Sequence, residues 1–126
     1  MIKLLLVEDD ANLRYIIRGG LEDMIGGYEI KDAANGEEGL KVWQEWQPDV
    51  IVSDIEMPVM DGYEATKEIR KYSAKVPIIA ITAFAYASDE QRVMESGFDG
   101  YMPKPINARL LKAQLTEIMQ KRIILL

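Results

Sequence analysis

Short apolar runs alternate with amphipathic stretches along the chain, and that alternation is the mark of βαβ units built on a parallel sheet. Strands are predicted at Lys3–Val7, Tyr28–Ala33, Val50–Ser53, Pro77–Thr82 and a short Gly100–Met102. Most are continuous in apolar character, as parallel strands covered on both faces require. Between them Leu13, Ile16, Ile17, Leu21 and Met24 repeat at helical spacing, Leu40 and Trp43 do so more weakly, and Leu111, Leu115, Ile118 and Met119 mark a final helix. Gly19 and Gly20 weaken the first helix locally. Asp61 with Glu64 and Ser88 with Gln91 have the spacing of a reciprocal helix cap, Asn107 suits the cap of the last helix, Gly36 opens the segment holding Leu40, and Gly97 closes a helix. Right-handed crossovers then give an α/β fold, (βα)5, with a doubly wound five-stranded parallel sheet ordered 2-1-3-4-5.

The 126 residues show no linker or shift in composition, so residues 1–126 read as one domain. The apolar, uncharged end Ile123–Leu126 suggests a chain cut from a longer protein at a junction. The net charge of −6 would be repelled by a polyphosphate, which argues against direct nucleic-acid binding. The absence of Cys removes disulfides and thiolate chemistry, and the absence of His removes an imidazole base, an imidazole ligand and a phosphohistidine. Any chemistry must run on carboxylates, hydroxyls, Lys or a hard cation held by oxygen. Acids appear at Glu8 before a signal-peptide core can form, and the most apolar later stretch, Val76–Ala87, is too short for a bilayer, so the expected location is cytoplasmic, with no membrane partner.

Every chemically suggestive residue falls just after a predicted strand: Glu8, Asp9 and Asp10 after the first, Asp54 after the third, Thr82 at the end of the fourth and Lys104 after the fifth. In an open parallel sheet those ends share one edge, and ligands bind where the strand order reverses. Asp10 reads as the cap of the following helix. Asp9 and Asp54, on adjacent central strands, read as buried carboxylates that repel unless a cation or proton separates them, and an octahedral Mg²⁺ answers that conflict. Lys104 can grip a phosphoryl oxygen as a point charge, and the Thr82 hydroxyl can donate to one. Together they compose a phosphoryl-transfer site with a carboxylate nucleophile.

Leu4-Leu5-Leu6-Val7-Glu8-Asp9-Asp10, the stretch from Asp49 through Ser53-Asp54-Ile55-Glu56-Met57-Pro58 to Asp61-Gly62, Pro77-Ile78-Ile79-Ala80-Ile81-Thr82-Ala83, and Lys104-Pro105 together resemble the receiver domain of two-component response regulators, alone or within a hybrid histidine kinase. The resemblance covers essentially the whole chain. It implies a flavodoxin-like fold and a domain phosphorylated on Asp54 by a histidine kinase or phosphotransfer protein. It implies Mg²⁺ held by Asp9, Asp54 and the main-chain carbonyl of Glu56, with Glu8 acting largely through water. Thr82 and Lys104 would contact the phosphoryl group, and Tyr101 matches the aromatic whose rotation reports phosphorylation. An output domain or a homodimer would receive the signal.

Glu56 and Phe84, each two residues beyond a site residue, sit where side chains can control the approach of water, and Glu56 can also pair with Lys104 before phosphorylation. A sharp turn aiming Lys104 at Asp54 predicts a cis Lys104–Pro105 bond, as the resemblance also implies. Drawing Thr82 toward a phosphoryl group would let Tyr101 turn inward and bias the helix Asp89–Ser96, the strand Gly100–Met102 and the helix Ala108–Lys121, whose outer faces carry Arg92, Lys112 and Arg109. A haloacid-dehalogenase-type phosphatase also combines a strand-end Asp, Mg²⁺, a hydroxyl and a Lys. Asp54-Ile55-Glu56 only approximates its paired acids, and no acidic pair follows Lys104. Flavin binding on this topology would need a hydroxyl-rich phosphate loop where three acids stand.

Overall fold

The computed structural model describes residues 2–22, 27–83 and 87–124, with the side chains of 87, 88 and 122–124 excepted. Ten elements alternate in chain order: β1 (Ile2–Val7), α1 (Ala11–Glu22), β2 (Tyr28–Ala33), α2 (Gly36–Trp46), β3 (Val50–Asp54), α3 (Gly62–Arg70), β4 (Ile78–Thr82), α4 (Ala87–Glu95), β5 (Gly100–Pro103) and α5 (Ala108–Ile124). All strand pairs are parallel and the sheet order is β2-β1-β3-β4-β5, as the sequence predicts.

Strand residues alternate between two cores, which is why the runs read as continuously apolar. Leu4 and Leu6 of β1, with Val50, Val52, Ile79 and Ile81, face Ile17 and Leu21 of α1 and Leu111 and Leu115 of α5. Leu5 and Val7, with Ile51, Ile78 and Ala80, face Trp43 of α2, Ile69 of α3 and Val93 of α4. At about 1.5–3 kcal/mol for each fully buried Leu or Ile, these two layers dominate the stability of the sheet.

The caps expected at Asp61 and Asn107 form: Asp61 accepts from the amide of Glu64 at 2.9 Å, and Asn107 accepts from those of Arg109 and Leu110 at 2.9 and 3.2 Å. Helix α4 starts at Ala87, so Ser88 stands inside its first turn rather than ahead of it. The Ser88 side chain lies outside the described residues, as do Met24, Phe84 and the chain end at 125–126. Ile16 is a correction. It is 62% exposed, because the inward stripe of α1 runs through Leu13, Ile17 and Leu21 and leaves Ile16 one helical step to the side. Gly19 and Gly20 sit within an unbroken helix. At the far end from the acids, Arg70 bonds the carbonyls of Ser73, Val76 and Gly97 and the Asp99 carboxylate, tying α3 to the turn before β5. Among the described residues no helix is long and apolar enough to cross a membrane.

Candidate functional site

The register brings the strand ends together. Val7 pairs with Ser53, Asp54 with Ile81, and Thr82 with Pro103, so residues just beyond those pairs share one edge of the sheet. Asp54 is the last residue of β3 and is 1% exposed. Its Oδ1 accepts from the amide of Ile55 at 2.8 Å, and Oδ2 faces the Lys104 ammonium at 3.0 Å. Lys104 also reaches Glu8 Oε1 at 3.2 Å, spanning 96 positions of sequence. Its backbone amide donates to the Thr82 carbonyl at 2.7 Å, which fixes the start of the β5–α5 connection against β4. The Lys104–Pro105 peptide is cis, as expected.

The acids divide differently from the sequence expectation. Asp9 is exposed, whereas Glu8, 0% exposed, shares the interior with Asp54. The buried conflict is therefore between Glu8 and Asp54, with Asp9 on the solvent side. One carboxylate oxygen from each of Glu8, Asp9 and Asp54 lies within 4.8 Å of the others, an acidic group able to hold a metal ion. Burial first, and then the neighbouring Asp54 carboxylate, push the Glu8 carboxyl up to about 8 against the opposing pull of Lys104. Burial works against the Lys104 ammonium, yet Asp54 and Glu8 together hold its pKa above the ordinary lysine value. Glu8 Oε2 is buried with no hydrogen-bond partner. Such an oxygen is costly to leave unpaired, and an oxygen-seeking cation beside three carboxylates would relieve it. The donor set therefore fits a hard divalent ion.

Asp10 caps α1 as expected, accepting from the amides of Asn12 and Leu13 at 2.9 and 3.2 Å. The Thr82 hydroxyl is buried at the strand end and donates to the Glu56 carboxylate, 3.1 Å to Oε1 and 3.4 Å to Oε2. Glu56 thus meets Thr82, and the expected pairing of Glu56 with Lys104 is corrected: both Lys104 contacts go to Glu8 and Asp54. The β3–α3 turn carrying Glu56 is tightly built. Val59 holds φ 70, an uncommon conformation for a β-branched residue, and a side chain at Gly62 would collide with the Asp54 carbonyl oxygen. Tyr101 is partly buried against the α2–α3–α4 core. Burial, followed by Glu90 and Asp89, raises its pKa.

Sequence reasoning missed two contacts. One is the Thr82–Glu56 hydrogen bond. The other is Arg14 of α1, whose Nη1 donates to the Glu8 carbonyl at 2.6 Å. A cation placed near a helix N-terminus against the dipole was the available signal for the second.

Residues 4–116 match the family described as the response regulator receiver domain. A probable transcriptional regulator, ycf27 of Porphyridium aerugineum, is 37% identical over 119 residues, covering 94% of this chain and 48% of the relative. The sensor histidine kinase RcsC of Escherichia coli is 38% identical over 115 residues, 90% of this chain and 12% of that protein. The chain thus spans about half the length of the first relative and a small part of the second. The structure of the chemotaxis protein CheY4 of Vibrio cholerae superposes with a TM-score of 0.86 at 35% identity, covering 94% of this chain and 98% of CheY4. None of these matches supports the haloacid-dehalogenase alternative. With the sheet order, the acidic strand ends and the family match in agreement, this chain belongs to the receiver domains of two-component response regulators.

Proposed function

We propose that Asp54 is the phospho-acceptor of this receiver and that its phosphorylation depends on Mg²⁺. The observation that carries the reading is the Lys104 ammonium bridging Glu8 Oε1 and Asp54 Oδ2, beside the Glu8, Asp9 and Asp54 carboxylate cluster, at the switch point of the sheet. In this reading an Asp54 carboxylate oxygen attacks phosphorus, the bond from phosphorus to the donor's leaving atom breaks, and its electron pair leaves with the donor. A histidine kinase or a phosphotransfer protein is the donor class. Lys104 holds Asp54 oriented before transfer and follows the phosphoryl oxygens afterwards, because an ammonium on a flexible stem keeps its charge while changing partners. Thr82 gives up its hydrogen bond to Glu56 and donates to a phosphoryl oxygen.

Glu8, Asp9, Asp54 and the Glu56 main-chain carbonyl would hold Mg²⁺, which when bound supplies positive charge to the acidic cluster and to the transferring phosphoryl oxygens. The domain acts as a signalling switch rather than as an enzyme turning over a substrate. Residues 1–126 form one receiver, located in the cytoplasm with its kinase and reporting to an output domain or a second copy. Intact mass after incubation with acetyl phosphate tests the reading. One phosphoryl adduct is expected with Mg²⁺, and none with excess chelator or in Asp54→Asn. An undiminished adduct in Asp54→Asn overturns the assignment.

A further inference from the structure

Arg14 lies on the fourth residue of α1, where the helix N-terminus disfavours a guanidinium. Its side chain turns back over the strand end and bonds the Glu8 carbonyl oxygen at 2.6 Å in a partly buried position. The flanks of the acidic segment are secured separately: the Glu8 amide donates to the Ala33 carbonyl at 3.0 Å, and the Asp10 carboxylate caps α1. The Glu8 carbonyl belongs to the peptide that joins Glu8 to Asp9. The torsions on either side of that peptide, ψ of Glu8 and φ of Asp9, set how the two carboxylates are carried relative to each other and to Asp54, and whatever holds its oxygen helps to fix them.

We infer that Arg14 is a positioning residue for the cation cluster, acting through the Glu8–Asp9 peptide, an inference that rests on the Mg²⁺ reading above. The geometry sets it apart from a mere field effect. A guanidinium near a cation site repels the cation, so removing its charge alone would tighten Mg²⁺ binding. Removing a strut would loosen it, and the two roles therefore predict opposite signs.

The test is a Mg²⁺ titration followed by backbone amide shifts around Asp9 and Asp54, run on wild type, Arg14→Met and Arg14→Lys, with thermal midpoints recorded alongside. Arg14→Met is expected to weaken Mg²⁺ about tenfold, the lower end of what second-shell partners of metal ligands contribute. Arg14→Lys, which keeps a cationic donor in reach of the carbonyl, is expected to recover part of that loss. Equal or tighter binding in Arg14→Met overturns the inference, including when the midpoint falls, since that combination marks a purely structural residue. Should Arg14→Met fail to fold, the same criterion applies to Arg14→Lys, which is expected to bind more weakly than wild type by a smaller factor. A wild type that binds no Mg²⁺ would instead defeat the reading of the cluster itself.

Discussion

Two carboxylates at the site spend their charge differently. Glu8 carries a pKa of about 8 in the fold against 4.5 for the free side chain. Between those values the folded chain keeps a proton that the unfolded chain has released, so stability falls as pH rises, by at most about 1.4 kcal/mol per pH unit from this group. The penalty is absent below the lower value and complete above the upper one. A cation favours the ionised form, so Mg²⁺ is expected to stabilise the domain more at pH 8 than at pH 5. Urea unfolding across that range with and without Mg²⁺ checks this, and Glu8→Gln should flatten the dependence. Glu56 holds the Thr82 hydroxyl that a phosphoryl group would need. Replacing it by Gln weakens a charge-assisted bond to a neutral one and frees Thr82 sooner. Initial phosphorylation by acetyl phosphate should rise several-fold, a positioning effect of modest size, and an unchanged rate would mean that the contact does not compete. The sequence placed Glu56 near the crevice but paired it with Lys104 rather than Thr82, because the choice depends on side-chain reach beyond the ends of the paired strands β3 and β4.

At the scale of elements, the strands were legible to within a residue or so at each end because their burial on both faces writes itself as unbroken apolar runs. Asp54 closes β3 rather than following it, and β5 runs on to Pro103. The helices were less legible where packing overrides pattern. Ile16 matches the helical period and yet faces solvent, because a stripe one residue wide can be drawn through either neighbour. The paired glycines in α1 have opposite meanings that no sequence rule separates. A Cβ at Gly20 would press on the Ala108 side chain at 2.8 Å, where α5 begins, whereas one at Gly19 meets nothing within 4 Å. Gly19→Ala should therefore stabilise the fold by about 0.5–1 kcal/mol, the helical cost of glycine, and Gly20→Ala should gain less or lose stability through the contact with α5. Paired thermal melts decide it, and equal effects at the two positions would contradict the packing described for α1 against α5.

For the whole molecule, the topology does what no local signal can. It brings Glu8, Asp54, Thr82 and Lys104 from four strands to one edge, and the sequence disclosed this because each residue stood at the end of an apolar run. Where it erred was depth. Glu8 is the acid buried with Asp54 and Asp9 is the exposed one, because the Glu8 amide still bonds the Ala33 carbonyl beside β1 while Asp9 lies beyond that bond. The central claim is that this edge forms an acyl phosphate on Asp54 alone. Borohydride converts an aspartyl phosphate to homoserine, so peptide mapping after acetyl phosphate, Mg²⁺ and borohydride reads the acceptor directly. Homoserine is expected at position 54 and nowhere else, with the signal lost when Mg²⁺ is chelated. Homoserine at position 9 or 10, or at 54 regardless of Mg²⁺, would contradict it.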